Sequence, residues 1–127
     1  MKQRLEHDTM GEIEVADERL WGAQTERSRR NFSIGSERMP LELIEGLIRL
    51  KRACAQVNRR VGKLDESLAA LIVQACDDLL SGDYTDEFPL SVWQTGSGTQ
   101  TNMNVNEVIA NRAAILAHGH LQPPRPV

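Results

Sequence analysis

The chain has 127 residues, of which 40% are hydrophobic, 26% are charged and only 4% are aromatic. This is the composition of an ordinary soluble domain whose core is built from aliphatic side chains. The formal net charge of −3 argues against a general nucleic-acid surface. No apolar run approaches the length of a membrane span, and the first residues lack a signal-peptide core. We therefore expect a cytoplasmic protein with no membrane and no nucleic-acid partner.

The first 40 residues are predicted to form a mostly irregular arm. Residues 11–15 alternate between apolar and polar side chains, as a short strand does. Residues 26–32 are compatible with a short helix. The arginines of this segment are expected to be solvent-exposed, or to form salt bridges between subunits, rather than to bind an anion. They are Arg27, Arg29 and Arg30.

A helical part is predicted over residues 41–118, beginning just after Pro40. Apolar side chains of the first helix recur at steps of three and four residues as far as Gly62. Asp65 is placed to cap a second helix, and the short connection predicts an antiparallel hairpin. The first stripe contains Leu43, Leu47, Leu50, Cys54, Val57 and Val61, widened by Ile44 and Ile48; the second contains Leu68, Ile72, Ala75 and Leu79, beside Leu71 and Cys76.

Two cysteines fall within these stripes. We interpret Cys54 and Cys76 as reduced core thiols rather than as a disulfide pair or a nucleophile.

The second half of the helical part is less clear from its pattern. Residues 83–90 are predicted to be a loop, because the residue before a proline is disfavoured in a helix. Residues 101–106 alternate as a strand would, whereas the alanine-rich continuation to Ala117 indicates a helix. Residues 119–127 are predicted to be an extended tail.

The most informative segment covers residues 94–107. Gly96 and Gly98 remove side chains that would keep a ligand away from the backbone N–H groups, and Ser97 and Thr99 add hydroxyl donors. A small turn that leads into a helix N-terminus favours an anion, since unpaired N–H groups and the helix dipole both face it. An ordinary helix cap preceded by a turn is the alternative.

The spacing of this segment excludes the common phosphate-binding motifs. The third glycine of a dinucleotide fingerprint is missing, and no Lys-Ser or Lys-Thr pair follows. Several asparagines near one helix start carry a local cost in helix propensity, and such costs concentrate at functional sites. These asparagines are Asn102, Asn104, Asn106 and Asn111.

Several motifs, spread over nearly the whole chain, match one known enzyme family in their order and spacing. They are Gly11, Leu20-Trp21-Gly22-Ala23-Gln24-Thr25, Asp86-Glu87-Phe88-Pro89-Leu90, Trp93-Gln94-Thr95-Gly96-Ser97-Gly98-Thr99-Gln100 and Asn102-Met103-Asn104-Val105-Asn106-Glu107-Val108-Ile109-Ala110-Asn111-Arg112-Ala113. The chain therefore resembles the class II fumarate hydratases of the fumarase/aspartase superfamily. Aspartate ammonia-lyases share the Asn-Met-Asn-x-Asn-Glu core, but Gln24, Ser97 and Gln100 favour the fumarase branch.

The resemblance implies a mostly α fold like the amino-terminal domain of that helical-bundle superfamily, with helix also over 101–106. It implies that residues 1–127 are an amino-terminal lyase domain, shorter than the family's full chain. The family hydrates fumarate reversibly to (S)-malate in the tricarboxylic acid cycle, as a homotetramer whose sites combine several subunits. No cofactor and no metal are implied.

The resemblance also assigns roles to individual residues. Ser97, Gly98 and Thr99 would bind a carboxylate of the dicarboxylate substrate, and Arg125 would lie near an accessory anion site. Asn102 and Asn106, one helical turn apart, would support the site. No catalytic base falls within these 127 residues, so the chain alone is expected to be inactive.

Two alternatives remain at this stage. One is an aspartate ammonia-lyase of the same superfamily, and the other is a non-catalytic helical fragment that associates with itself or a partner. Other polar and aromatic residues are expected to be structural. We expect surface positions for His118, His120, Asp77 and Asp78, and packing roles near the site for Trp21 and Trp93.

Overall fold

The computed structural model of the chain describes residues 2–121, and these form a mostly α fold, as predicted. Arg125 and most of the predicted extended tail lie outside the described residues. A small antiparallel sheet precedes four helices. The elements are β1 Gln3–Asp8, β2 Gly11–Ala16, α1 Ala23–Asn31, α2 Leu41–Arg60, α3 Glu66–Ser81 and α4 Thr99–His118, with a short 3₁₀ turn at Thr85–Glu87.

Residues 1–40 are more regular than predicted. The expected strand and short helix are present as β2 and α1, but β1 was not predicted. Its sequence alternates poorly, since Glu6 is buried whereas Leu5 is 42% exposed. β1 exists because it pairs with β2, with Leu5 opposite Glu14 and Glu6 opposite Ile13. The buried Glu6 carboxylate forms an ion pair with Arg4, whose Nε lies 2.9 Å from Glu6 Oε1.

The N-terminus of α1 is capped by a side chain from α4. Gly22 at the N-cap has no side chain to serve the free amides. The Glu107 carboxylate instead accepts from the N–H groups of Gly22, Gln24 and Thr25 at 3.1, 2.9 and 2.9 Å, and from Thr25 Oγ1 at 2.6 Å. A Cβ on Gly22 would lie 2.8 Å from Glu107 Oε2, so glycine makes this close approach possible.

Helices α2 and α3 form the predicted hairpin. The Asp65 side chain accepts from Ser67 N–H at 3.0 Å and Leu68 N–H at 3.2 Å, which confirms it as the N-cap of α3. Gly62 has a φ of +76°, which suits the turn that ends α2. An ion pair between Arg52 Nε and Asp77 Oδ1, at 2.8 Å, joins the two helices.

The predicted apolar stripe of α2 is largely exposed, whereas the two isoleucines that widen it, Ile44 and Ile48, are buried. The core side of α2 is Ile44, Ile48 and Ala55. The helix carries a broad apolar surface, and its neighbours cover only the side that holds these three residues. The exposed fractions on the opposite side are 45% for Leu43, 56% for Leu50, 53% for Val57 and 60% for Val61.

The two cysteines differ for the same reason. Cys54 lies on the outer face of α2 and is exposed, so the prediction of a core thiol was wrong there. Cys76 is fully buried, as predicted, and burial raises the pKa of its thiol to about 11. Both thiols are free.

Helix α4 passes through the centre of the core. It contributes Val105, Val108 and Ile109, which pack with side chains of α2, α3 and the loops. Two buried asparagines tie this helix to the loops around it. Asn104 Nδ2 donates to Glu87 O at 3.0 Å, and Asn111 Nδ2 donates to Leu20 O at 2.6 Å. No helix within the described part of the chain is both long and apolar enough to cross a membrane.

Candidate functional site

The candidate site is the turn that leads into α4, and a neighbouring loop positions it. Arg38 and Ser91 form an isolated antiparallel bridge, and Val92 N–H donates to Glu37 O at 3.0 Å. The Ser91 hydroxyl donates to Ile34 O at 2.7 Å. The chain before the turn is therefore anchored, although the turn itself is exposed.

Gly98 shapes the end of the turn. Its φ of +79° lies in the left-handed region, which non-glycine residues rarely adopt. Within the described residues, an added Cβ at Gly96 or Gly98 would meet no atom within 4 Å. The glycine at position 98 is therefore required by backbone conformation. The open space around both glycines leaves room for a ligand.

Hydroxyl groups line the turn. Ser97 Oγ donates to Thr99 Oγ1 at 3.2 Å, so the two predicted substrate ligands lie side by side. Thr95 Oγ1 donates to Gln100 Oε1 at 2.6 Å, and it lies 3.3 Å from Ser97 Oγ. Ser97, Gly98 and Thr99 are all exposed, and the first turn of α4 contains no acidic residue. The turn thus presents neutral donors to solvent.

The first amides of α4 are only partly satisfied within the protein. Thr101 N–H donates to Gln94 Oε1 at 3.1 Å, and Asn102 N–H donates to Gly98 O at 3.1 Å. Among residues 2–121, no acceptor faces the N–H groups of Thr99 and Gln100. Two backbone donors at a helix N-terminus therefore remain available to an anion.

The two predicted supporting asparagines lie differently. Lys51 Nζ of α2 donates to Asn102 Oδ1 at 2.6 Å, which brings a positive charge to the first turn of α4. Asn106 lies one turn further on, with Nδ2 4.0 Å from Met103 Sδ. Lys51 and Asn106 both line a groove of about 620 Å³ between α2, α3 and α4.

Two residues of this arrangement were missed in the sequence. Lys51 resembles any solvated lysine on an amphipathic helix, and no local pattern reveals that it reaches α4. Gln94 had a weak signal: an N-cap glycine at position 98 offers no side-chain acceptor, which leaves the first amides of the helix open to an acceptor from a neighbouring residue.

A model of the lyase family matches residues 11–125. The chain belongs to this lyase family.

Relatives of this lyase chain share the name class II fumarate hydratase. The class II fumarate hydratase of Campylobacter jejuni is 56% identical over 119 residues, which are 94% of this chain and 26% of that protein. The enzyme of the same name from Bacillus subtilis is 56% identical over 116 residues, 91% of this chain and 25% of that protein. The chain thus spans about a quarter of the length of these curated relatives.

A solved structure supports the same relation. The crystal structure of class II fumarase from Schistosoma mansoni superposes with a TM-score of 0.92 and 43% identity. The superposition covers 95% of this chain and 26% of that one. The fold of the described residues is therefore that of a fumarase segment, which confirms the resemblance inferred from the motifs.

The remaining polar candidates of the lyase chain have structural roles. Asp77 was predicted to be a solvated surface residue; its side chain is 46% exposed, and it also pairs with Arg52 across two helices. Asp78 was predicted likewise, but its Oδ2 lies 2.8 Å from Arg112 Nη2 of α4. The hydrogen bond from Arg112 lowers the Asp78 pKa below its ordinary range.

The arginine cluster forms ion pairs inside this chain. Arg27 Nε lies 2.9 Å from Asp8 Oδ2, and both Arg29 and Arg30 pair with the buried Glu26. Burial raises the Glu26 pKa, but hydrogen bonds from Arg29, Arg30 and Trp21 together outweigh it and leave the pKa below its usual range.

Three of the four predicted positions of the tryptophans and histidines agree with the structure. Trp21 is buried, as expected of a packing residue, whereas Trp93 is 56% exposed and was wrongly expected to pack. His118 and His120 are exposed, as predicted for surface residues.

Proposed function

We propose that the chain is the amino-terminal lyase domain of a class II fumarate hydratase, which adds water reversibly to fumarate to give (S)-malate. The observation that carries the proposal is the open turn of Ser97, Gly98 and Thr99 at the N-terminus of α4. Its neutral donors and free amides suit a carboxylate. The names of the relatives at 56% identity support the reaction.

The chemistry explains why these donors matter. Removing a proton beside a carboxylate of malate forms a carbanion, whose charge spreads into that carboxylate. Donors that already face those oxygens stabilise this charge without reorganising, and the benefit is greatest in the transition state. We assign the hydroxyls of Ser97 and Thr99, with the backbone around Gly98, to this role.

Positive potential near the turn favours a dianion. The N-terminus of a 20-residue helix carries a partial positive charge, and Lys51 adds a full one through its contact with Asn102. A second anionic group of the substrate gains from the same field. Asn102 supports the site by holding the ammonium group of Lys51, and Asn106 is assigned a supporting role one helical turn further on.

Several finer statements belong to this proposal. Arg125 is assigned to an accessory anion site, and the catalytic base is assigned to residues outside this chain. The protein is proposed to be a cytoplasmic homotetramer that uses neither cofactor nor metal. The resemblance to fumarate hydratases supports each of these statements, and sedimentation of the full-length protein tests the tetramer.

The activity is tested with the purified full-length protein. The ultraviolet absorbance of fumarate should fall as malate forms, and should rise when malate is supplied instead. Formation of fumarate and ammonia from aspartate, with no hydration of fumarate, would instead favour the ammonia-lyase alternative and overturn the proposal.

A further inference from the structure

The N-terminus of α4 has an unusual cap. Its N-cap residue, Gly98, has no side chain, and the structure shows no side-chain hydrogen bond from that position. The cap comes instead from Gln94, four residues earlier. Gln94 Oε1 accepts from Thr101 N–H at 3.1 Å and from Thr101 Oγ1 at 2.9 Å.

The Gln94 amide is itself held in place. Its Nε2 donates to Ser91 O at 2.9 Å, so both ends of the amide group are engaged. Ser91 in turn is bridged to Arg38 and bonded to Ile34 O. The side chain therefore links an anchored loop to the third residue of the helix, and the exposed turn lies between these two fixed points.

We propose that Gln94 is a positioning residue for the carboxylate-binding turn, a role that rests on the proposed function. It satisfies the amide of Thr101 and leaves those of Thr99 and Gln100 for the substrate. It also holds the turn so that Ser97 and Thr99 stay side by side.

A comparison with the usual N-cap side chains supports this role for Gln94. A serine or aspartate at the N-cap would bond the second or third amide of the helix from inside the turn, in competition with a ligand. Aspartate would also place a negative charge beside a carboxylate. A neutral glutamine outside the turn caps the helix without either effect, and the glycine at position 98 keeps the approach open.

Kinetics of the full-length enzyme test the inference. Gln94→Met keeps the length of the side chain but removes both polar atoms. The KM for fumarate and the inhibition constant of succinate, an unreactive dicarboxylate, should rise about 10- to 100-fold, as expected for three lost hydrogen bonds and a loosened turn. Thr101→Val should shift both constants in the same direction, and Thr101→Ser should restore them.

Gln74→Met is the matched control, because Gln74 is an exposed glutamine on α3 whose amide donates to Asp78 and lies away from the turn. Its constants should equal those of the wild type. A lower melting temperature and lower kcat in Gln94→Met, with KM and the succinate constant unchanged, would show a merely structural cap and overturn the inference.

Hydrogen exchange separates this inference from the proposed function. The Thr101 amide should exchange slowly in the wild type and much faster in Gln94→Met, whereas the Gln100 amide should exchange fast in both. Equal exchange of Thr101 in the two proteins would overturn the cap even in an active enzyme. Absence of fumarate hydration by the wild type would instead overturn the proposed function.

Discussion

Neutral hydroxyls, rather than charged groups, face solvent at the candidate site. The hydroxyl oxygens of Ser97 and Thr99 lie 3.2 Å apart at the exposed N-terminus of α4. A hydroxyl can donate to a carboxylate without the large desolvation cost of a second ion. Neutral donors of this kind fit the carboxylate ligand that we propose for the turn.

Loss of one hydroxyl should greatly reduce turnover. Thr99→Val keeps the β-branched shape of the side chain but leaves a substrate oxygen short of a donor. We expect turnover of the full-length enzyme to fall on the order of 10²–10³-fold, the usual effect of one such donor. Thr99→Ser should retain most activity, and Thr9→Val on the exposed hairpin turn serves as the control. Steady-state rates of Thr99→Val equal to the wild type would contradict the assignment.

The carboxylates that pair with arginine should make the fold sensitive to acid. The hydrogen bond from Arg27 lowers the Asp8 pKa below its usual range. A lowered folded pKa gives stability that is present above the unfolded pKa of about 3.9 and is lost as pH falls through the folded value. Asp8→Asn should therefore lower the melting temperature at pH 7 and lose this difference as the pH falls below about 4.

The control for this pH series is Asp17→Asn. The Asp17 side chain is exposed and forms no ion pair among the described residues. Its melting curve should follow the wild type at every pH. A deficit in Asp8→Asn that stayed constant from pH 7 to pH 2.5 would contradict the ion-pair explanation.

At the scale of elements, α4 organises its neighbours through polar side chains. Its first turn carries the candidate site, its middle caps α1 through Glu107, and its buried asparagines hold two loops. The asparagine series was read as a sign of function. For Asn104 and Asn111 the structure shows instead that bonds to loop carbonyls offset the weak helix propensity.

Removing the Glu107 carboxylate should destabilise α1. In Glu107→Gln, the NH₂ group of the glutamine faces backbone N–H groups that now donate to the Glu107 carboxylate. Because two donors cannot bond to each other, at least one of these N–H groups loses its acceptor. We expect the free energy of unfolding to fall by roughly 2–4 kcal/mol, because several donors share this charged acceptor. Gly22→Ala should act in the same direction by displacing the carboxylate.

Chemical denaturation measures this effect, and Glu12→Gln on the exposed face of β2 is the matched control. The control should unfold like the wild type. Equal denaturation midpoints for Glu107→Gln and the control would contradict the capping role.

At the scale of the whole molecule, the apolar residues of α2 face outward. Leu43, Leu50, Val57 and Val61 are each 45–60% exposed. The groove between α2, α3 and α4 adds further apolar surface. Contiguous patches above a few hundred Å² are rarely left open on soluble monomers.

The 127-residue chain should therefore be helical but should associate with further copies of itself. Covering a few hundred Å² of apolar surface is worth roughly several kcal/mol at about 25 cal/mol per Å². Sedimentation velocity should show oligomers at micromolar concentration, and the double variant Leu50→Lys, Val57→Lys should shift them toward monomer. Leu5→Lys on the hairpin should leave the distribution unchanged. A clean monomer at high micromolar concentration with a cooperative melt would contradict this prediction.

Local signals in the sequence determined much of this protein. Periodicity predicted α2 and α3, the capping residue Asp65 predicted where α3 begins, and the Gly-Ser-Gly-Thr turn with its flanking motifs indicated the lyase family and the position of the candidate site. These features depend on residues a few positions apart, so they can be read along the chain.

Only the tertiary structure decided the rest. It showed which side of α2 is buried and that β1 pairs with β2. It also showed that Glu107 and Gln94 cap helix N-termini and that Lys51 contacts Asn102. Glu107 lies 85 positions from Gly22, and Lys51 lies 51 positions from Asn102. Such pairs leave no periodic trace, because nothing in local propensity depends on a partner that folding brings from elsewhere. The periodicity of α2 likewise does not determine which part of its apolar surface is buried, because its neighbours, and not its own residues, determine which face is covered.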